Sequence, residues 1–344
     1  TAARANAGEA ADFYGFLKTH TAIEHADANP VEINFVQPLG PPRGPRPHIF
    51  LFVIDSLRRD YISPYNPAVT FTPSLERFAR DSFVFDRAFT RYGATGLALP
   101  SIWIGGMTLH KQYIIPFAPM NTLHKLLESA QYRRLMSMDN IVEQLHQGRP
   151  RRLTELDQGI PTKQYDFCRT LGELGERLAA DHDRPATFAY TLPQNVHIAI
   201  AFETPVPDGE SYPGFVDKVA APVRRLDSCF GQFIDRLKVL ELYDESVVIV
   251  TSDHGDSLGE DGRFGHSYTV FPEVMRVPLI IHLPTSMAET VTTDLTRVAF
   301  STDITPTLYT LLGYQPTDLG PLYGSSLFSP REAPQVEHRR RRPR

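Results

Sequence analysis

The sequence predicts an α/β fold with a mostly parallel central sheet and helices on both faces. Residues 49–54 are apolar at every position, which is typical of a central parallel strand covered on each side. A second apolar run, 247–250, leads directly into the polar residues 251–255. Segments with helical periodicity alternate with these runs, and polar residues gather just past the strand ends, where open α/β sheets bind their ligands.

The elements follow one another after a proline-rich segment. We expect a helix at 73–80, with Thr72 as its N-cap and Pro73 at the first helical position. The loop before Pro100 should lead into a helix over 99–107, with Ser101 capping its first turn. Further helices are expected at 123–129 and 216–240, and further strands at 134–138 and 187–192. The long helix carries apolar residues at alternating steps of three and four, which places them on one face.

Composition divides the chain into four parts. Residues 1–37 form an N-terminal arm, with a short helix expected within 3–27, and residues 38–47 hold five prolines and form a semi-rigid linker. We expect a single folded domain over 48–330 and a basic tail over 331–344. The longest apolar run is far shorter than the roughly 20 residues of a membrane helix.

Charge excludes a general nucleic-acid binder. The net charge is −5, but five arginines lie within residues 339–344. Residues 1–338 therefore carry 30 basic against 40 acidic side chains, a net charge of −10. A body this acidic is a poor partner for nucleic acid. The two cysteines, Cys168 and Cys229, have no CxxC spacing and do not fix the redox compartment.

Candidate ligands follow the two apolar strands. Asp55 comes directly after the first strand, Asp253 and His254 come after the second, and Thr95 lies between Gly93 and Gly96 in a third loop. Carboxylates mixed with imidazole suit Zn²⁺ or Mn²⁺ better than an all-oxygen Ca²⁺ cage.

Five segments, taken in order, resemble the alkaline phosphatase/sulfatase superfamily over nearly the whole chain after the linker. They are Ile-Asp-Ser-Leu-Arg-Arg-Asp at 54–60, Phe-Thr-Pro-Ser-Leu at 71–75, Thr-Ser-Asp-His-Gly-Asp-Ser-Leu-Gly-Glu at 251–260 with Gly265-His266, Arg-Val-Pro-Leu-Ile at 276–280, and Asp-Ile-Thr-Pro-Thr-Leu at 303–308. The resemblance implies that superfamily's α/β fold and a metal-dependent ester chemistry.

The loop that would carry the nucleophile departs from the sulfatase pattern. Sulfatases place a cysteine, converted to formylglycine, two residues before the proline of C-x-P-S-R, and this chain has Ala98 there and Ile102 in place of the arginine. The lipid A phosphoethanolamine transferases instead use a threonine five residues before the equivalent proline. Thr95 occupies that position relative to Pro100.

The resemblance also implies a ligand set. By it, one metal is bound by Asp55, Thr95, Asp253 and His254. Two further histidines, His197 and His266, are similar to the branch's second-site residues, where they would bind a second metal or the substrate. His110 and Lys111 lie near the place of cationic substrate contacts in sulfatases, although a solvated surface pair explains them as well.

A threonine hydroxyl is a weak nucleophile until it loses its proton, and a divalent cation promotes that loss. Two alternatives stay open from the residues alone. Thr95 is also explained as a small loop residue, with Ser101 or no residue as nucleophile, and His197 as a structural histidine with satisfied hydrogen bonds. We expect Asp256 and Glu260 to support the site or cap a turn rather than bind a metal.

These observations predict metal-dependent phosphoryl transfer or phosphodiester hydrolysis through Thr95, including transfer of phosphoethanolamine or a similar head group. The alternatives are a sulfuric ester hydrolase without formylglycine and an inactive family member that binds anions. The cofactor is a divalent metal, Zn²⁺ with Mn²⁺ or Ca²⁺ as alternatives, as one or two ions. The expected substrate is a phospholipid or a small phosphate or sulfate ester.

By its resemblance to tethered family members, the catalytic unit should be extracytoplasmic, either periplasmic or at the cell surface, with a membrane tether upstream of residue 1. Cys168 and Cys229 could then form a disulfide if their Cα atoms lie within about 7 Å.

Overall fold

The computed structural model describes residues 15, 19–20, 37–38, 46–107, 118–146, 150–202, 205–267, 269–315 and 324–331. The helix expected within 3–27, most of the proline-rich linker and the basic tail from residue 332 onward lie outside the described residues. So do His110 and Lys111. Among the helices that are described, none combines the length and the apolar character needed to cross a bilayer.

The secondary structure alternates as the sequence predicts. The strands are β1 Gln37–Pro38, β2 His48–Val53, β3 Phe83–Val84, β4 Ala88–Phe89, β5 Arg133–Ser137, β6 Leu153–Leu156, β7 Thr187–Thr191, β8 Ser246–Thr251, β9 Ser257–Leu258, β10 Phe264–Gly265, β11 Leu279–His282, β12 Val291–Thr292, β13 Ala299–Phe300, β14 Tyr314–Gln315 and β15 Ser329–Pro330. The α-helices are α1 Pro73–Arg80, α2 Thr95–Ile104, α3 Thr122–Ser129, α4 Asn140–Gln144, α5 Phe167–Ala179, α6 Asn195–Ala201, α7 Asp217–Val239, α8 Pro272–Met275, α9 Thr285–Ala288 and α10 Ile304–Leu311.

A seven-stranded sheet organises the chain in the order β3-β11-β8-β2-β7-β5-β6. The five strands from β8 to β6 are mutually parallel, and β11 runs antiparallel to both of its neighbours. The chain enters the sheet at β2, forms the far edge strand β3, builds one side through β5, β6 and β7, and then crosses back to β8 and β11 on the other side. The boundary between β2 and β8 is therefore the topological switch point, where sheets of this kind bind ligands.

Two apolar clusters pack on opposite faces of this sheet. Within β2, Ile49 and Leu51 face one cluster, together with α2, α3 and α10. The alternate residues Phe50 and Phe52 face the other, together with α1, α5 and α7. Because strand side chains alternate between faces, a fully apolar strand requires a helix layer on each side. The predicted α/β class with helices on both faces is confirmed.

The predicted helix at residues 73–80 is α1, with Thr72 at its N-cap position as predicted, but the side chain of Thr72 does not supply the cap. The Thr72 side chain makes no capping hydrogen bond to the helix, and its hydroxyl accepts from the amide of Ser63 at 2.8 Å instead. The free amides of Ser74 and Leu75 donate to the carboxylate of Asp227, at 3.0 and 2.7 Å. Asp227 lies buried in α7, so the cap comes from 153 residues away, beyond the reach of a local pattern.

A disulfide joins α5 to α7. Cys168 and Cys229 are bonded, with their Cα atoms 5.2 Å apart, inside the limit set by the sequence expectation. Beside it, Asp166 at the start of α5 accepts hydrogen bonds from Asn195 of α6 and from Arg225 of α7. These contacts hold together the three helices on one face of the sheet, including the helix that carries His197.

Candidate metal and phosphoryl-transfer site

Strand register places the first candidate ligands side by side. Val53 at the end of β2 pairs with Thr251 at the end of β8, so Asp55 and Asp253 both stand two residues beyond the same level. Gln194 reaches the same level after β7, since Thr191 pairs with Phe52. The side-chain amide of Gln194 donates to Asp55 Oδ2 at 2.8 Å. Three adjacent strands thus deliver polar side chains to one point, and the apolar core fixes their alignment.

Asp55, Asp253 and His254 form the first ligand group. Their ligand atoms all lie within 4.8 Å of one another, and all three residues are buried. His254 Nε2 lies 3.4 Å from Asp253 Oδ2 and 3.9 Å from Asp55 Oδ1. Asp253 Oδ2 is buried without a hydrogen-bond partner among the described residues. A buried carboxylate oxygen left open beside a second carboxylate and an imidazole is a donor set that fits a divalent cation.

Thr95 lies next to this group. Its Oγ1 is 3.1 Å from His254 Nε2. The ring of His254 is held at its other nitrogen, since Nδ1 lies 2.8 Å from the carbonyl of Gly255. That carbonyl accepts only from a protonated nitrogen, so the hydrogen bond leaves the Nε2 lone pair directed toward Thr95 and the carboxylates.

The helix expected after the Thr95 loop starts earlier than predicted. The structure shows α2 over Thr95–Ile104, not 99–107, because the amides of Leu97 and Ala98 both donate to the carbonyl of Ala94. Pro100 therefore lies inside the helix, although proline usually marks a helix start. The Ser101 prediction is also wrong: the residue is fully buried, and its hydroxyl donates to the carbonyl of Ala98 at 2.7 Å. As a result, Thr95 itself stands at the positive end of the helix dipole.

Two glycines allow the site loops to approach each other closely. A Cβ on Gly93 would lie 2.8 Å from Val274 Cγ1 and 3.0 Å from the Thr269 carbonyl, and the Gly93 carbonyl accepts from the amide of Ser267 at 2.7 Å. Gly255 is equally confined, because its Cβ would collide with the carbonyl of Glu273. The Thr95 loop, the His254 loop and the segment after His266 thus form one packed unit.

His197, Asp256 and His266 form a second ligand group. Their ligand atoms also lie within 4.8 Å of one another. His266 Nδ1 is 2.7 Å from Asp256 Oδ2, and the ring centres of His197 and His266 are 5.5 Å apart. The ring of His266 also lies 4.3 Å from that of His254, so the two ligand groups adjoin. Neither histidine is buried among apolar residues, and their side chains are 27 % and 19 % exposed.

The electrostatics of the two groups differ. Burial, and then the charge of Asp55, raise the pKa of Asp253 above its usual value. Burial opposes protonation of His266, but its hydrogen bond to Asp256 outweighs this and raises the pKa of the ring. The first group therefore holds excess negative charge that a cation would offset, while the second is partly balanced within itself.

Supporting contacts account for the acidic residues near the second group. Arg58 bonds Asp60 and Glu260 and donates to the carbonyl of Asp256 at 3.1 Å. Glu260 also accepts from the amide of Leu258 at 2.7 Å. Glu260 thus has the supporting position expected from the sequence, and Arg58 is already paired with carboxylates. Asp256 also supports the site as expected, since it holds His266 at Nδ1, and its carboxylate is in addition a candidate ligand of the second group.

Sequence reasoning missed two residues of the site, Ser56 and Gln194. Ser56 follows Asp55 with a positive φ of 60°, and its amide and hydroxyl contact Asp253 and Asp55. Neither residue type signals metal chemistry on its own. The one available signal was the position of Gln194 two residues past the predicted strand 187–192, near the edge where Asp55 follows its own strand.

The structure also holds a cavity away from this site. It measures about 430 Å³ and lies at the opposite edge of the sheet, where Tyr243, His282 and Arg331 contribute to its lining. Neither ligand group lines it. His282 stacks on Tyr243, and burial lowers its pKa, which is typical of a structural histidine. The convergent ligands, not this cavity, mark the site of the chemistry.

The comparisons with known proteins agree with the geometry. The sequence matches the sulfatase family over residues 47–314, most of the chain. The chain belongs to the sulfatase family. It is 33 % identical over 115 residues to the low-salt glycan biosynthesis sulfotransferase Agl7 of Haloferax volcanii, covering 32 % of this chain and 26 % of that protein. It is 28 % identical over 109 residues to the N-acetylglucosamine-6-O-sulfatase of Bacteroides thetaiotaomicron, covering 31 % and 19 %. These matches span about a quarter or less of the length of the curated relatives.

Solved structures share the fold at low identity. The C-terminal periplasmic domain of EcEptC from Escherichia coli, solved in complex with Zn, superimposes with a TM-score of 0.63 at 14 % identity, covering 83 % of this chain and 87 % of that chain. The integral membrane lipooligosaccharide phosphoethanolamine transferase A of Neisseria meningitidis gives 0.63 at 15 %, covering 89 % and 61 %. The 2-O GAG sulfatase BT1596 gives 0.64 at 14 %, covering 82 % and 73 %. The alkaline phosphatase/sulfatase fold expected from the sequence is confirmed, and its neighbours include both sulfatases and phosphoethanolamine transferases.

Proposed function

We propose that this chain is a metal-dependent phosphoryl-transfer enzyme in which Thr95 is the nucleophile. The observation that carries the proposal is the distance of 3.1 Å between Thr95 Oγ1 and His254 Nε2, in a group whose two carboxylates are buried. A surface loop threonine has no need of such neighbours.

Asp55, Asp253, His254 and Thr95 would bind the cation, with Zn²⁺ favoured over Mn²⁺ and Ca²⁺ by the mixture of carboxylate and imidazole. The bound cation would lower the pKa of the Thr95 hydroxyl and offset charge on the phosphoryl oxygens. The buried Oδ2 of Asp253 supports this assignment, since it accepts no hydrogen bond within the part of the chain that the structure describes.

The residues of the chain divide the reaction into two displacements. In the first, the Thr95 hydroxyl gives up its proton and its Oγ bonds to phosphorus, while the ester oxygen leaves with its electron pair and takes up a proton. In the second, water or an alcohol attacks the phosphothreonine, loses a proton and releases Oγ. The N-terminus of α2 favours the anion in both steps, because its free amides and dipole point toward Thr95.

The second ligand group supplies either a second cation or direct contacts to the substrate. His266 is held by Asp256 through Nδ1, which leaves Nε2 free for either role. The ring of His266 lies 4.3 Å from that of His254, which supports a role for His266 close to Thr95.

A phosphodiester or phospholipid head group is the favoured substrate, because the sulfatase formylglycine position holds Ala98 here and Thr95 is the candidate nucleophile instead. The relatives named as sulfatases and as a sulfotransferase favour a second candidate, transfer of a sulfuric ester group through the same threonine. The solved neighbours that are periplasmic domains, together with the disulfide, support an extracytoplasmic location with a tether outside residues 1–344.

A paired assay tests the proposal. Purified protein is loaded with Zn²⁺, its metal content is measured, and turnover is compared on an aryl phosphodiester and an aryl sulfate. We expect bound metal, phosphodiester turnover, and a phosphate adduct on Thr95 when a slow substrate is trapped and mapped by mass spectrometry. An adduct on Ser101 or Tyr92 would contradict the role of Thr95. Turnover of the sulfate alone would favour the second candidate, and bound anion without turnover of either would indicate an inactive family member.

A further inference from the structure

Ser56 stands between the two ligand groups. Its hydroxyl donates to Asp55 Oδ1 at 2.9 Å and lies 3.3 Å from His197 Nδ1. Its amide donates to Asp253 Oδ1 at 3.3 Å. The residue is completely buried, so water does not compete for these contacts. One serine therefore touches two ligands of the first group and one of the second.

The backbone of Ser56 is shaped for this position. Its φ of 60° is in the left-handed region, which residues other than glycine adopt at a cost and which concentrates at functional sites. The next amide, of Leu57, donates to the hydroxyl of Ser252 at 3.1 Å, which holds the turn in place.

The contacts of Ser56 fix the proton positions. A serine hydroxyl has one proton, and here it goes to the carboxylate of Asp55, the stronger, charge-assisted acceptor. The contact with His197 must then run from a protonated Nδ1 to the serine oxygen. The same nitrogen lies 3.6 Å from Asp55 Oδ1, and two lone pairs would repel at that position. The Nε2 lone pair of His197 is left free.

The other two site histidines follow the same rule. His254 is held at Nδ1 by the Gly255 carbonyl, and His266 is held at Nδ1 by Asp256. In each case an oxygen on Nδ1 leaves Nε2 as the binding atom. Only His197 obtains its oxygen from a residue that is also bonded to the first ligand group.

We propose that Ser56 is a positioning residue that fixes His197 as its Nδ1-protonated tautomer and thereby ties the second ligand group to the carboxylate of the first. Its consequence for binding rests on the proposed function, but the tautomer itself does not. Loss of the hydroxyl should release His197 while the first group keeps its three ligands.

The first test uses metal-free protein, so it does not depend on the proposed activity. The ring nitrogens of ¹⁵N-labelled histidine are observed by NMR for the neutral rings, with His197 assigned from a His197→Gln variant. We expect an Nδ1-protonated His197 in the native protein and conversion to Nε2-protonated or mixed tautomers in Ser56→Ala. The His254 and His266 signals should stay unchanged, which also shows that the variant is folded. An Nε2-protonated His197 in the native protein, or no change in Ser56→Ala, overturns the proposal.

The second test measures binding. Zn²⁺ titration and steady-state kinetics should show that Ser56→Ala keeps the first cation, while affinity at the second group falls, or KM rises, by about 10- to 100-fold, the usual effect of removing such a supporting contact. Loss of the first cation as well would overturn the proposal. If native protein shows no cation and no turnover, the proposed function fails, and the tautomer experiment still decides the role of Ser56.

Two control variants separate the hydroxyl from other effects. Ser56→Gly also lacks the hydroxyl but adopts a positive φ without strain. It should match Ser56→Ala, and recovery of native behaviour in Ser56→Gly would overturn the proposal. Ser246→Ala removes an equally buried hydroxyl at the opposite end of β8, where it donates to the carbonyl of Leu242. It should leave His197 unchanged, and an effect equal to that of Ser56→Ala would also overturn the proposal.

Discussion

Asp55 and Asp253, in the first ligand group, follow neighbouring strands of the central sheet, whereas His197 lies on a helix of seven residues and His266 follows a strand of two. The first pair is aligned by a six-residue register between two fully buried strands. The second pair has no such register behind it. The core can therefore position the first group by itself, while the second group depends on hydrogen bonds made within the site.

The two groups also differ in how deeply they are buried. The ligands of the first group are excluded from water, but the imidazoles of the second are partly open to it. A buried pair of carboxylates is costly without a cation. A partly exposed histidine held by one carboxylate is stable without any ligand. Under the proposed function, we therefore expect the first group to hold a permanent ion and the second group to bind something that arrives and leaves.

The largest effect is expected at the first group. Thr95→Ala should reduce turnover by about 10³- to 10⁶-fold, the range for removing a covalent nucleophile. Metal content measured by mass spectrometry should remain near one ion, because two carboxylates and an imidazole are left. Thr95→Ser keeps the hydroxyl and is the matched control, which should retain measurable turnover. Full activity in Thr95→Ala would remove the threonine from the reaction.

A smaller effect is expected at the second group. His266→Ala should lower turnover by about 10²-fold, in the lower range for groups that assist proton transfer or binding. The first ion should be retained whether His266 binds a second cation or the substrate. A fall in Zn²⁺ content from two ions to one would assign His266 to a second cation, and an unchanged content with a raised KM would assign it to the substrate. Loss of the first ion in this variant would mean that the two groups are not separable.

The packing that joins the two groups offers a third test. Gly93→Ala introduces a methyl group 2.8 Å from Val274 Cγ1 and 3.0 Å from the Thr269 carbonyl. Relief of this overlap must move either the Thr95 loop or the segment after His266. We expect a loss of stability of about 1–3 kcal/mol by chemical denaturation, with a fall in turnover beyond what unfolding explains. A Gly172→Ala control, within α5, has open space around the new methyl. It should leave turnover unchanged and should not lower stability, because alanine is favoured over glycine inside a helix by about 1 kcal/mol. Native turnover in Gly93→Ala would show that the two loops move independently.

The sequence predicts the first group well because its signals are local. The apolar runs at 49–54 and 247–250 have no periodicity, so they read as central strands, and the polar residues after them fall at the same edge. What the sequence misses depends on distant contacts. Asp227 caps α1 from 153 residues away, and α2 begins at Thr95 although Pro100 suggests a later start.

Ser56 illustrates the same limit within the site. Its residue type is ordinary, and its importance comes from a left-handed backbone and from His197, which lies 141 residues further along the chain. Asp256 is similar, since its place among the second ligands depends on how β9 and β10 turn back on each other. Register within a sheet can be inferred from apolar patterns, but the path of a short loop is decided by contacts that no pattern encodes.

The smallest expected effect is on the stability of the metal-free protein. This effect depends on pH and arises from the first group. Burial and the charge of Asp55 raise the pKa of Asp253, so the folded metal-free protein holds that proton to a higher pH than the unfolded chain. The stability this provides is fully present below the unfolded pKa and is lost as the pH rises through the folded pKa. At neutral pH the metal-free fold therefore contains a charged pair that it would be more stable without. Asp253→Asn should make metal-free protein more stable at neutral pH by about 1 kcal/mol, with the difference vanishing in acid.

Saturating Zn²⁺ should reverse this order. Binding to the folded state stabilises the native protein by mass action, whereas Asp253→Asn, having lost a ligand, should gain little. Thermal unfolding across pH compares the stability of the native protein and of Asp253→Asn, each measured with a chelator and with Zn²⁺. If Asp253→Asn is less stable than the native protein in the presence of the chelator, the carboxylate pair is not strained without a cation. The contrast between a first group that requires an ion and a second that does not would then be wrong.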